Sequence, residues 1–161
     1  MKEKMLLSYR SCFCNLTGLL FADLLLFVTL RAGSIPFPVT YDIPMADGIS
    51  LPTDVYFPEK KRLPAPVILV RTPYGRGNYR NEYGSWSHWG YVVAVQDIRR
   101  RDSEGKEALA FFDDGWEGNR DGQVTIEWLA KQQFCNGKVG TMGASAMGIT
   151  QYLLAPNAPK A

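Results

Sequence analysis

Short apolar runs alternate along the chain with longer mixed segments, and Pro and Gly mark the joints between them. Residues 39–43 and 53–57 alternate apolar and polar positions on either side of an Asp-Gly turn, which predicts a β-hairpin. The runs 67–70 and 91–95 have no polar alternation, which is typical of strands buried on both faces. Because such strands usually lie in parallel sheets with helical crossovers, the pattern predicts an α/β protein.

Two helices are predicted after the second buried strand. Residues 114–133 form the longer one, which ends before an Asn-Gly pair. A short strand at 138–142 and a second helix at 146–154 follow, and Pro156 stops that helix. The acidic residues around the first helix are expected to form a solvated face: Asp113, Asp114, Glu117 and Asp121.

The N-terminal segment is similar to an export leader. Basic residues precede an apolar stretch at 16–30 that contains Asp23 and is shorter than the roughly 20 residues of a membrane-spanning helix. Small residues at 32–34 offer a cleavage point. Residues 1–33 are therefore predicted to be a signal peptide or leader, and no stable membrane span is expected. A genuine leader places the protein in a secreted or periplasmic location; otherwise it is cytoplasmic.

The composition is that of a globular domain: 161 residues, 46% of them hydrophobic and 21% charged. Lys and Arg number 18 against 16 Asp and Glu, so the charge balance argues against a nucleic-acid partner. Neither a Cys/His cluster nor an acidic ligand loop occurs in the sequence, and no metal or organic cofactor is expected. The one histidine, His88, lies among aromatic residues and is expected to pack on a crossover helix.

The segment with recognisable chemistry reads Gly-Ala-Ser-Ala-Met-Gly at 143–148, between a predicted strand and a predicted helix. A serine at such a turn presents its hydroxyl at the carboxyl edge of the sheet, and the helix start supplies N–H groups for an oxyanion. The strict nucleophile-elbow pattern has glycine two residues after the serine, where this chain has Met147. A nucleophilic Ser145 and an inert glycine-rich joint both stay open at this point, whereas the glycine spacing does not fit a dinucleotide-binding loop.

Six further segments occur in order between residues 39 and 155: IPMADG at 43–48, RTPY at 71–74, GYVVAVQDIR at 90–99, SEG at 103–105, TIEWL at 125–129 and NGKVG at 136–140. Together with the serine turn, they resemble the cocaine-esterase and X-prolyl dipeptidyl-peptidase family of α/β-hydrolases. The resemblance implies a mostly parallel sheet and a serine hydrolase that acts on a small-molecule ester, amide or peptide.

The resemblance also implies roles for three residues. Ser145 matches the nucleophile that forms the acyl-enzyme, and the backbone N–H of Ala146 matches one oxyanion donor. Tyr74 matches the tyrosine whose hydroxyl is the second donor. Family members usually have tyrosine at the position of Ala146 and glycine within residues 100–102, so pocket shape and loop geometry depart from the pattern. Asp97 and Arg99 are expected to form a structural ion pair or hydrogen bonds and not to take part in catalysis.

In α/β-hydrolases the catalytic acid and histidine follow the nucleophile along the chain. His88 precedes Ser145, and residues 149–161 contain neither an acidic residue nor a histidine. Residues 34–161 are therefore expected to be the N-terminal part of a hydrolase domain, truncated before the triad Asp and His, and the 161-residue chain itself is expected to be inactive. The alternative is a non-catalytic fragment or binding module that retains half of the hydrolase fold.

Overall fold

A computed structural model describes residues 34–59, 63–99 and 120–159, and Ile35–Ala161 form one compact unit. The predicted leader at 1–33 lies outside the described residues, as do the SEG segment at 103–105 and three of the four acidic positions near the first predicted helix. Within the described residues, no helix is long and apolar enough to cross a membrane.

A five-stranded sheet forms the centre of the unit, in the order β1-β2-β4-β3-β5. The strands are β1 (Val39–Pro44), β2 (Ser50–Tyr56), β3 (Ala65–Thr72), β4 (Val92–Asp97) and β5 (Cys135–Thr141). β1 and β2 pair as an antiparallel hairpin, and β2 also pairs antiparallel with β4. β3 lies between β4 and β5 and is parallel to both. The predicted hairpin and the predicted parallel pairing of the two buried strands are confirmed.

Helical segments connect the parallel strands and follow the last of them. The crossover from β3 to β4 is a run of helical turns that includes the short helix α1 (Arg80–Tyr83). Helix α2 (Asp121–Ala130) precedes β5, so the described part of the predicted helix ends three residues earlier than expected. Helix α3 (Ala146–Leu154) follows β5 with the predicted bounds. The α/β class predicted from the sequence is confirmed.

Strand β5 begins at Cys135, three residues before its predicted start. The Asn136-Gly137 pair, which was expected directly after the helix, lies inside the strand at an irregularity in the pairing with β3. Gly137 has a φ of +85°, and the Lys138 N–H donates to Asn136 Oδ1 at 3.1 Å. The pair thus marks a positive φ, as Asn-Gly pairs do, but this conformation is accommodated by a β-bulge.

Apolar side chains cover both faces of β3 and β4, which explains the absence of polar alternation in their sequences. On one face, Leu69 belongs to a buried cluster with Leu129 of α2. On the other face, Val93 belongs to a second cluster with Tyr83 of α1 and Met147 of α3. Because α3 begins in this second cluster, core packing fixes the position of its first turn.

Asp121, which was expected on a solvated face, is only 3% exposed. Its carboxylate accepts hydrogen bonds from the Arg99 guanidinium at 2.8 and 2.9 Å, and Arg99 also pairs with Asp47 in the β1–β2 turn. The expectation is wrong for this residue because the counter-ion comes from the segment after β4, which helix periodicity does not reveal. Arg99 therefore connects the hairpin turn to the start of α2.

Asp97 and Arg99 both form ion pairs, as expected of structural residues, but each pairs with other residues and not with its neighbour. Asp97 pairs with Arg76, in the crossover after β3. Arg99 pairs with Asp47 and Asp121. Neighbouring charges at the end of one strand therefore stabilise two separate connections.

The Asp47–Arg99 pair makes one contribution to stability dependent on pH. The hydrogen bond from Arg99 lowers the pKa of Asp47 from its ordinary 3.8. A carboxylate with a depressed folded-state pKa stabilises the fold above its unfolded pKa, and this contribution disappears as pH falls through the folded value. We expect Asp47→Asn to lower the urea midpoint at neutral pH but to leave it unchanged well below pH 3.8.

Urea denaturation at both pH values, monitored by tryptophan fluorescence, measures this difference. Asp42→Asn, at an exposed position of β1, is the matched control and should leave the midpoint unchanged at neutral pH. Equal midpoints for wild type and Asp47→Asn at neutral pH would show that the Asp47–Arg99 pair does not stabilise the fold.

Candidate active site

The carboxyl ends of the parallel strands bring the sequence-predicted site residues to one edge of the sheet. Tyr74 follows β3, and Ser145 follows the adjacent strand β5. Asp97 ends β4, on the other side of β3. The β5 loop is attached to β3, because the Met142 N–H donates to the Leu69 carbonyl at 3.0 Å. In open α/β sheets this edge is where ligands bind.

Ser145 has a strained backbone conformation, with φ +56° and ψ −126°. This combination is rare for a residue with a Cβ atom and costs about 1–3 kcal/mol. The residue is exposed, and the first turn of α3 forms directly on it: the Met147 N–H donates to the Ala144 carbonyl at 3.2 Å, and the Ile149 N–H to the Ser145 carbonyl at 3.0 Å. A sharp, strained strand-to-helix turn of this kind exposes a serine hydroxyl.

Gly143 is the glycine that the turn requires. Its φ is +143°, and a Cβ at this position would lie 2.4 Å from the Cβ of Met147. A Cβ at Gly148 would meet its nearest atom, the Gly143 carbonyl oxygen, at 3.4 Å, an ordinary contact. Met147, which stands where the strict pattern has glycine, is buried in the core. Methionine in place of glycine therefore adds a buried side chain to the first turn of α3.

We expect Gly143→Ala to destabilise the fold by about 3 kcal/mol, because it combines overpacking against Met147 with a φ that alanine rarely adopts. Gly140→Ala, in the preceding strand, is the matched control. A Cβ at Gly140 meets nothing within 4 Å, so we expect no loss of stability. Urea unfolding of both variants provides the comparison. Equal destabilisation by the two substitutions would show that Gly143 is not a special position.

Ala146 is the first residue of α3 and is buried. The first N–H groups of a helix have no partner within the helix, and they lie at the positive end of its dipole. The Ala146 N–H therefore belongs to the same turn as the Ser145 hydroxyl and has the chemistry of an oxyanion donor.

The backbone of Tyr74 is held on both sides. Its N–H donates to Thr72 Oγ1 at 3.0 Å, and its carbonyl accepts from Asn78 Nδ2 at 2.7 Å. Gly75 follows with a φ of +91°, which turns the chain into the crossover. Tyr74 is 52% exposed. The loop is thus fixed while the phenol remains accessible from solvent.

Asp97 anchors the start of the crossover two residues after Tyr74. Its Oδ1 accepts from the Arg76 backbone N–H at 2.6 Å, and its Oδ2 accepts from the Arg76 guanidinium at 2.7 Å. Arg76 Nε also donates to Asp54 Oδ1, in β2, at 2.9 Å. Burial opposes the charge of Arg76, but the hydrogen bonds to Asp54 and Asp97 outweigh burial and raise its pKa. This ion-pair network fixes the Tyr74 loop to the sheet.

His88 lies on the helical crossover, as expected, but it is exposed and not part of the buried core. The crossover ends at Gly90, whose N–H donates to the Ser87 carbonyl at 3.0 Å, and β4 begins two residues later. His88 therefore lies towards the amino ends of the strands, whereas Ser145 follows a carboxyl end. The structure does not bring these two residues together at one edge.

Two residues that contribute to this edge, Arg76 and Gln151, were not predicted from the sequence. Arg76 follows the RTPY segment and pairs with two strands. Gln151 lies six residues after Ser145, and its amide contacts the serine turn. The one signal in the sequence for Gln151 was a polar residue within a short, mostly apolar helix. Helix periodicity alone does not show which carbonyls such a residue contacts.

The chain matches known hydrolases in sequence and structure. The sequence profile of X-Pro dipeptidyl-peptidase (S15 family) matches residues 47–161. Cocaine esterase from Rhodococcus sp. (strain MB1 Bresler) is 34% identical over 116 residues, which are 68% of this chain and 19% of that protein. The chain therefore spans about a fifth of the length of this curated relative.

Solved structures agree with the sequence matches. An α-amino acid ester hydrolase has a TM-score of 0.62 and 25% identity, with 81% of this chain and 25% of that chain covered. A CocE/NonD family hydrolase from Staphylococcus aureus has a TM-score of 0.53 and 24% identity, with 74% and 24% covered. At 24% identity, the match to the Staphylococcus aureus hydrolase shows the fold alone. These matches confirm the α/β-hydrolase fold and the resemblance found in the sequence.

Proposed function

The chain belongs to the X-Pro dipeptidyl-peptidase (S15) family, and from this premise we propose that it carries the nucleophile of a serine hydrolase. In this proposal the enzyme acts on ester or peptide bonds through an acyl-enzyme on Ser145. The observation that supports it best is the strained backbone of Ser145, φ +56° and ψ −126°, at the carboxyl edge of the sheet. A strained residue at such an edge is typical of an active site.

In the proposed reaction, Ser145 Oγ attacks the carbonyl carbon of the substrate and its proton passes to a general base. The carbonyl oxygen becomes an oxyanion, which accepts hydrogen bonds from the Ala146 N–H and the Tyr74 hydroxyl. Collapse of this intermediate breaks the bond to the alcohol or amine, which departs with the proton. Water then releases the acid from Ser145 by the same steps.

A serine hydroxyl without a general base is a weak nucleophile at neutral pH. His88 is the one histidine of the sequence, and it lies towards the opposite edge of the sheet from Ser145. We therefore propose that the base is a histidine other than His88, oriented by an acid, and that the 161-residue chain alone does not turn over substrate. An oxyanion hole and substrate binding without the triad retain only about 10³–10⁴-fold acceleration.

A fluorophosphonate probe tests the proposal, because it phosphonylates activated serines. In a catalytically active form of this protein, we expect mass spectrometry to find the probe on Ser145. Heat-denatured protein and Ser85→Ala are the controls: the Ser85 hydroxyl donates to the Glu82 carbonyl on the surface, so its loss should leave labelling unchanged. Labelling that persists in Ser145→Ala would contradict the assignment of the nucleophile.

The same experiment distinguishes the rival interpretation, a binding module that retains the fold without its chemistry. Such a module would remain unlabelled in every form of the protein while folding normally. Robust hydrolysis of an aryl ester by the purified, monomeric 161-residue chain would contradict the requirement for a second histidine.

A further inference from the structure

The side-chain amide of Gln151 contacts the turn that contains Ser145 and the strand and helix on either side of it. Its Nε2 donates to the Gly143 carbonyl at 3.0 Å and to the Met147 carbonyl at 3.2 Å. Its Oε1 accepts from Thr141 Oγ1 at 3.1 Å. Thr141 is the last residue of β5, Gly143 lies in the turn, and Met147 lies in the first turn of α3. The contacts therefore bracket Ser145 on both sides.

These contacts match the hydrogen-bonding capacity of an amide. A glutamine side chain has two N–H donors, and here each has a carbonyl acceptor, while its oxygen accepts from a hydroxyl. The contact with Met147, four residues earlier in α3, is one that a helical glutamine makes locally. The contacts with Gly143 and Thr141 are different, because they connect the helix to the turn and to the strand.

We infer that Gln151 is a positioning residue, which holds the Ser145 turn in its strained conformation. A strained backbone persists only when its surroundings over-determine it. Gly143 permits the turn sterically, and Met147 fixes one end of it in the core. Gln151 adds hydrogen bonds that would be lost if the turn relaxed. The effect of Gln151 on catalysis rests on the proposed function, whereas its effect on the conformation of the turn does not.

Two variants separate the effect of the amide hydrogen bonds from the effect of side-chain volume. Gln151→Met keeps the approximate shape and removes all three hydrogen bonds. Gln151→Glu keeps an acceptor but, when ionised, replaces the N–H donors with a carboxylate facing two carbonyl oxygens. Gln132→Met is the matched control, because Gln132 Nε2 donates to the Trp128 carbonyl at 2.9 Å at the end of α2 and has no part in the serine turn.

In a catalytically active form of the protein, we expect both Gln151 variants to lower kcat and the rate of fluorophosphonate labelling about 10- to 100-fold, with KM changed less than about threefold. We expect Gln132→Met to match wild type. The labelling rate of Gln151→Glu relative to wild type should rise as pH falls and the carboxyl group binds a proton, because one donor is restored. Gln151→Met should show no such rise. Where the variants stay folded over this pH range, a role in stability alone would not produce this difference.

Hydrogen exchange in the 161-residue chain tests the geometry without requiring activity. Gln151→Met should speed amide exchange at residues 143–147, whereas Gln132→Met should not. Wild-type labelling rates and unchanged exchange in Gln151→Met would overturn the inference, as would a loss of labelling that only follows the unfolded fraction. Absence of Ser145 labelling in the wild-type enzyme would instead overturn the proposed function, and the exchange result would then decide the positioning role alone.

Discussion

Ser145→Ala is expected to lower kcat/KM for an aryl ester by about 10⁴- to 10⁶-fold in a catalytically active form of this protein. The reason is that no acyl-enzyme forms without the Ser145 hydroxyl, so only direct attack by water remains. The fold should be unaffected, because Ser145 is exposed and an alanine Cβ occupies the same space as the serine Cβ. Steady-state hydrolysis of p-nitrophenyl esters, with urea unfolding alongside, measures both quantities.

Ser85→Ala should keep full activity, since the Ser85 hydroxyl donates to a surface carbonyl at 2.7 Å in the crossover. Retention of more than about a tenth of wild-type activity by Ser145→Ala would exclude Ser145 as the nucleophile, because loss of a nucleophile costs far more.

Tyr74→Phe is expected to lower kcat by about 10²- to 10³-fold while KM stays close to that of wild type. A lower kcat with an unchanged KM follows from the proposed role, because a donor aimed at an oxyanion stabilises the transition state and not the bound substrate. The substitution should leave the loop intact, since Thr72 and Asn78 bind backbone atoms of Tyr74 and not its hydroxyl.

Tyr91→Phe is the matched control, because Tyr91 is a partly exposed tyrosine, 37% exposed, that precedes the amino end of β4. Its loss of a hydroxyl should leave kcat unchanged. An unchanged kcat in Tyr74→Phe would instead show that the oxyanion is stabilised without the Tyr74 hydroxyl, and a raised KM alone would assign that group to substrate binding.

The β1–β2 hairpin, the two buried strands and helix α3 were predictable because their signals are local. The unbroken apolar runs of β3 and β4 indicate burial on both faces, and such strands need crossovers. The segment around Ser145 was recognisable because its small residues and its place between strand and helix are visible in sequence. The positive φ of Ser145, in contrast, depends on Gly143, Met147 and the packing beneath them.

Contacts between distant segments were the features that sequence patterns did not predict. Asp121 and Arg99 are 22 residues apart, and helix periodicity placed the aspartate in solvent because it does not register partners outside the helix. The Asn136-Gly137 pair predicts the end of the helix, because helix C-termini and β-bulges share the same demand for positive φ. The role of Gln151 depends on the carbonyls that the folded turn presents to it.

The burial of Met147 has a consequence for efforts to alter substrate range by directed evolution. On one side of Ser145, Gly143 has no room for a side chain, and on the other side Ala146 and Met147 are enclosed in the core. Ala144, which is exposed, is the neighbour at which new side chains can be introduced without disturbing the interior. A saturation library over 143–147 should therefore retain folded variants mainly at Ala144. Substitutions intended to change substrate selectivity are best placed at Ala144 and in the Tyr74 loop.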